Sequence, residues 1–208
     1  MAHHGTPLCL GAEPGAALVH CIFIHGRTQS PEVMQDHVIS RLKIEGVAFV
    51  LPRAEANSWY SARATEPLTP ETRRQLDQSV LYVRGLVQDL QGQRSVPLLI
   101  GGFSQGACLA LEYAMRFGPW DGALASLTGC RVGTASCDLP FADLDCMPAY
   151  LTGSDKDPWI PVDAFANAAA VLARARSQLR CDVIPDRAHE VSAQEIVVLD
   201  RFLADLAR

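Results

Sequence analysis

Short, almost wholly apolar runs alternate with helically periodic stretches along the whole chain. Thr6–Leu10 and Leu18–Ile24 read as strands around the turn Gly11-Ala12-Glu13-Pro14-Gly15, and Val33–Leu42 reads as a short helix before a strand at Val47–Pro52. A polar loop, Arg53–Leu68, then carries Trp59 and Tyr60. In the next segment Leu76, Val80, Val83, Val87 and Leu90 share one helical face. Thr69 stands as its N-cap and Pro70 as its first residue, where the missing N–H costs nothing. Val96–Ile100 is apolar throughout, as a strand covered on both faces should be.

A helix over Gln105–Phe117 follows, then strands at Ala123–Thr128 and Pro148–Thr152. The spacing of Val162, Phe165, Ala169, Leu172 and Leu179 predicts one helix over Val162–Leu179, with Arg174, Arg176 and Arg180 near its negative C-terminal end. Cys181–Ile184 is a last short strand. Ser192 and Glu195 match a capping box that opens a helix with Ile196, Leu199, Leu203 and Leu206 as its stripe. Strands alternating with helices, without repeats or a linker, predict an α/β fold over residues 1–208 as a single domain, with a mostly parallel sheet and helices on both faces. Such sheets bind ligands beyond the carboxyl ends of their strands, here just after Ile24, Ile100, Thr152 and Ile184.

Composition narrows the function. An apolar fraction of 49% fills a core and removes disorder from consideration. A net charge of −5 without a basic run argues against a nucleic-acid partner. No stretch approaches a membrane span and nothing at the N-terminus reads as a secretory signal, so the expectation is a cytoplasmic chain without stable membrane insertion. The 7 cysteines, odd in number and without C-x-x-C spacing, read as free and mostly buried thiols. No metal role falls to His3-His4, expected in a loose terminus.

The chemistry lies at the predicted sheet edge. Gly102-Phe103-Ser104-Gln105-Gly106 is a G-x-S-x-G at a strand-to-helix junction, where a tight turn lifts the serine above the sheet. A serine hydroxyl needs a base, and of the 6 histidines only His189 comes late enough for the order serine, acid, histidine. His25 ends a strand and is assigned a scaffold role. The acid belongs on the loop Gly153–Pro161, where Asp157 is preferred and Asp155 is the alternative. The backbone N–H groups of Gln105 and Arg27 are the candidate oxyanion donors, Gly26 letting the second loop approach; the Arg27 side chain meets either an anionic group or water. Trp59, Tyr60, Phe103 and Trp159 are candidate walls of an acyl pocket in an open cleft without an extensive lid.

Together Phe23-Ile24-His25-Gly26, Ser58-Trp59-Tyr60, Gly101–Ala107, Asp157–Pro161 and His189-Glu190-Val191 resemble the phospholipase/carboxylesterase family of α/β-hydrolases, which includes acyl-protein thioesterases. The resemblance implies the α/β-hydrolase fold and a Ser104–Asp157–His189 triad with Arg27 and Gln105 amides as oxyanion hole. It favours Asp157 over Asp155, and implies hydrolysis of small-molecule esters or thioesters with no cofactor. Homodimers are common among relatives. The chain departs from many thioesterases in having Arg27-Thr28-Gln29 where they have Leu-Gly-Asp, and in an acid loop one residue longer. An acyltransferase and a non-catalytic binding module are the rival readings.

Overall fold

The computed structural model describes residues 4–208, so His3 lies outside the described residues. The strands are β1 (Gly5–Gly11), β2 (Val19–Ile24), β3 (Val47–Arg53), β4 (Leu98–Phe103), β5 (Gly122–Leu127), β6 (Pro148–Gly153) and β7 (Gln178–Val183). The α-helices are α1 (Pro31–His37), α2 (Pro70–Gln93), α3 (Gln105–Phe117), α4 (Val162–Arg174) and α5 (Ala193–Leu206). All 7 strands join one sheet in the order β1-β3-β2-β4-β5-β6-β7. Only β1 runs antiparallel, against β3; the other pairings are parallel.

The period-2 alternation of side chains across a strand divides the core into two layers. On β2, Val19, Cys21 and Phe23 face a layer with Met34 of α1 and Ile196, Leu199 and Leu203 of α5. Ile22 and Ile24 face the other, filled by α2, α3 and α4. Strand β4 repeats the pattern, with Leu98 and Ile100 on one face and Leu99 and Phe103 on the other. Helix α3 is buried from Gln105 to Met115, in keeping with its run of small residues against the sheet.

Local signals explain the ends. Thr69 Oγ1 accepts from the Thr72 amide at 3.1 Å, with Pro70 at the first position of α2. At α5 the capping box is complete: Ser192 Oγ accepts from Glu195 N at 3.2 Å and Glu195 Oε2 accepts from Ser192 N at 2.7 Å.

Beyond shifts of a single residue, four elements differ from the sequence reading: β4, α1, α4 and β7. Strand β4 continues through Gly101 and Gly102 to Phe103, because Gly102 still pairs with Ile24 and Ser126. Helix α1 begins at Pro31 and gives way after His37 to a 3-10 turn at Ile39–Arg41. The largest difference is α4, which ends at Arg174 rather than Leu179. Arg176 takes φ 60°, turning the chain, and Leu179 pairs with Ala149 as part of β7. Leu179 is in phase with the helical stripe, yet the open edge of β6 offers its backbone hydrogen bonds that a longer helix could not. The cysteines are all free as expected, but only Cys21, Cys108 and Cys130 are buried. Among the described residues no helix is long and apolar enough to cross a membrane.

Ser192→Ala should lower stability by about 1 kcal/mol through loss of the cap. A urea titration should show a lower midpoint with an unchanged slope.

Candidate active site

Ser104 stands between β4 and α3 at φ 55° and ψ −118°, a conformation that a non-glycine residue adopts only when its surroundings impose it. The imposing contact is the approach of α3 to the end of β2. A Cβ on Gly106 would lie 2.1 Å from the Ile24 carbonyl oxygen, and one on Gly102 would lie 2.6 Å from the Gly106 backbone. Both positions therefore need glycine, and the residue between them is raised at the head of the helix.

His189 meets this serine from the loop after β7. Its Nε2 is 2.8 Å from Ser104 Oγ, and its Nδ1 is 2.6 Å from Asp157 Oδ2. A carboxylate can only accept, so Nδ1 carries the proton and Nε2 is left to accept from the serine hydroxyl. Asp157 is fixed in turn: its Oδ1 accepts from the amides of Trp159 and Ile160, both at 2.8 Å. Burial pushes the Asp157 carboxyl upward, but the His189 hydrogen bond and those two amides together hold it below its ordinary value. Asp155 lies elsewhere, its Oδ1 accepting from the Asp186 amide at 2.8 Å and tying the acid loop to the histidine loop.

The loop after β2 forms the opposite wall. A Cβ on Gly26 would come within 3.3 Å of Ser104 Cβ, so backbone passes directly beside the serine. The amides flanking Arg27 are accounted for, Gly26 N by Gln29 Oε1 at 3.0 Å and Thr28 N by Asn57 O at 2.8 Å. Among the described residues the Arg27 amide has no acceptor. The Gln105 amide, first in α3, has none within its helix either. His25 is the brace expected of it: Nε2 accepts from Ala54 N at 3.1 Å, so Nδ1 carries the proton and donates to Gly26 O at 2.7 Å.

A cavity of about 300 Å³ above Ser104 is lined by Arg27, Arg63, Tyr60, Phe103, Trp159 and His189 among others. Of the proposed pocket aromatics, Trp59 is the exception. It is 2% exposed and its indole N–H donates to the His25 carbonyl at 2.8 Å, so it supports the wall from behind. The Arg27 side chain lines the cavity, and its guanidinium donates to the carbonyls of Tyr60, Ser61 and Ala62. His4 is not loose: its ring packs 5.3 Å from Trp59 and 4.7 Å from Tyr82.

Two supporting residues escaped the sequence reading. The Gln105 side chain accepts from Trp59 N at 3.0 Å and donates to Tyr60 O at 2.7 Å, clasping the pocket loop to the helix that starts at the serine. Arg187 is buried, donates to Thr128 Oγ1 at 2.6 Å and to Glu190 O, and lies 3.9 Å from Glu195. Ser154 Oγ also donates to Arg187 O at 2.9 Å. The only sequence signal for Arg187 is its position two residues before His189. Among the described residues no cluster of His, Cys, Asp or Glu is arranged to hold a metal ion.

The sequence pattern of the phospholipase/carboxylesterase family matches residues 11–207. The chain belongs to that family. Among similar proteins is a putative esterase, NocK, of Nocardia uniformis subsp. tsuyamanensis, 26% identical over 171 residues, which cover 77% of this chain and 48% of the relative. The chain spans about half the length of the curated relatives it matches. A phospholipase/carboxylesterase structure from Dyadobacter fermentans DSM 18053 superposes with a TM-score of 0.87 at 25% identity, covering 98% of this chain and 99% of that one. Acyl-protein thioesterase 2 of Zea mays shares the fold at a TM-score of 0.77 and 16% identity, covering 98% of this chain and 100% of that one. These likenesses establish the α/β-hydrolase fold.

Burial lowers the pKa of both His25 and His4 from the ordinary value of 6.5. Each then binds its proton more weakly folded than unfolded, so its contribution to stability is intact above pH 6.5 and is lost as pH falls from there through the depressed value. Protonated His25 would also be unable to accept from Ala54. Thermal unfolding should show a fall in stability below about pH 6.5, and the fall should be smaller in His25→Asn than in the wild type.

Proposed function

We propose that this protein hydrolyses carboxylic esters, thioesters included, through an acyl-enzyme on Ser104. The observation that carries the reading is the unbroken hydrogen-bonded line from Ser104 Oγ through His189 to Asp157, at 2.8 and 2.6 Å. His189 Nε2 takes the hydroxyl proton as Ser104 Oγ attacks the carbonyl carbon. The carboxylate of Asp157 keeps the proton on Nδ1 and stabilises the imidazolium that forms. The tetrahedral oxyanion accepts hydrogen bonds from the amides of Arg27 and Gln105, residues that line the cavity beside Ser104 and whose amides have no acceptor among the described residues. Collapse expels the alcohol or thiol, protonated from Nε2, and water then enters by the same route in reverse.

Support comes from membership of the phospholipase/carboxylesterase family and from likeness to a putative esterase. The cavity of about 300 Å³ is at the small end of ligand sites, which favours short acyl groups. Rates on p-nitrophenyl esters should therefore fall as the acyl chain lengthens.

The protein should react stoichiometrically with a fluorophosphonate, and Ser104→Ala should abolish labelling. Failure of well-folded wild-type protein to label would overturn the reading. On p-nitrophenyl acetate, His189→Ala should lower kcat by about four orders of magnitude or more, and Asp157→Asn by about two to four. Asp155→Asn should change kcat little, since Asp155 holds a loop rather than the imidazole. A reversed order of the two aspartates would refute the role given to Asp157.

A further inference from the structure

The charged side chains lining the cavity are Arg27 and Arg63, with no Asp or Glu among the lining residues. The lining thus carries positive charge although the chain as a whole carries a net charge of −5. Among the described residues neither arginine is in an ion pair. Arg27 gives its guanidinium hydrogens to three neutral carbonyls. The Arg63 guanidinium lies over the Trp159 ring, 5.7 Å from its centroid. Glu66, nearby in sequence, accepts from the Arg63 backbone amide at 3.1 Å.

Among the described residues the Arg63 guanidinium has neither a hydrogen-bond acceptor nor a counter-ion, so its N–H fork is free to pair with a carboxylate. Trp159 is 56% exposed beside it, at the mouth of the cavity. Arg63 and Trp159 come from different loops and meet above Ser104, so the fork is presented where a substrate would enter.

We infer that the favoured substrates are esters that carry a carboxylate of their own, gripped by Arg63 at the mouth while Ser104 meets the ester carbonyl. This rests on the ester-hydrolase reading above and names its substrate class. Arg27 adds positive potential at the cleft, where low-dielectric walls concentrate anions.

The test uses two matched pairs. 4-Acetoxybenzoate and its methyl ester place or remove the charge on the leaving-group side; 4-nitrophenyl hydrogen adipate and 4-nitrophenyl methyl adipate do so on the acyl side. The ratio of kcat/KM for the anionic over the neutral ester should fall in Arg63→Gln by about two- to fivefold for at least one pair, the scale of an exposed ion pair. The pair that responds identifies the side bearing the charge. Arg63→Lys should retain the preference, and added salt should erode it in the wild type. Equal ratios in wild type and Arg63→Gln for both pairs would overturn the inference. If the wild type cleaves none of the four esters, the hydrolase reading fails on its own account. The charge at the mouth is then read by titrating inert 4-acetamidobenzoate against tryptophan fluorescence. Weaker binding of this anion in Arg63→Gln supports the inference, and equal binding refutes it.

Discussion

The contact between the start of α3 and the Ile24 carbonyl leaves no room for a side chain at Gly106, and the rest of the site depends on that closeness. With Gly106 pressed onto the end of β2, the chain leaving β4 must turn within one residue, and Ser104 takes the strained conformation that results. The same closeness brings the loop after β2, with Gly26 and Arg27, against the serine from the other side. One steric fact thus positions both the hydroxyl and the backbone that passes beside it. The strain is held by the burial of α3 along nearly its whole length, which leaves the helix no direction in which to retreat.

The opposite half of the site is built from polar ties. Asp157 is held by two amides of its own loop, and His189 by Asp157. The loop carrying His189 is anchored through Arg187, which reaches Thr128 at the end of β5, and through Ser154 after β6. Loops following three successive strands are therefore locked to one another around a buried guanidinium. A buried charge of this kind is tolerated only because Glu195 and several oxygen acceptors surround it.

Much of this was legible in the sequence, because the strongest signals are those whose physics is local. The stripe of α2, the capping box of α5, and a G-x-S-x-G after a buried strand each follow from neighbouring residues alone. The choice of Asp157 drew on the resemblance as well, and geometry now sets Asp157 beside His189 and Asp155 on a different duty. What stayed hidden is long-range. The end of α4 was misjudged because Leu179 fits a helical stripe and a strand equally well, and only β6 decides between them. Trp59 was assigned to the pocket, where an indole would fit, but a carbonyl of His25 claims its N–H from behind. The grip of Arg27 on three carbonyls and the clasp of the Gln105 side chain depend on where the loop at residues 58–62 lies, and no local pattern encodes that.

Glu195 belongs to the cap of the last helix, yet its other oxygen accepts from Thr152 Oγ1 at 2.5 Å, and its carboxylate faces Arg187. The final helix is thereby keyed to the loop bearing His189, as a wedge is to the joint it closes. The histidine cannot drift without loosening α5, and α5 cannot detach without freeing the histidine. Trp159 shares the loop of Asp157 and so belongs to that lock, whereas Arg63 lies outside it on the loop after β3. Substitution at Arg63 can thus alter the entrance with little effect behind it, whereas a change in the loop of Trp159 reaches Asp157 and through it the histidine.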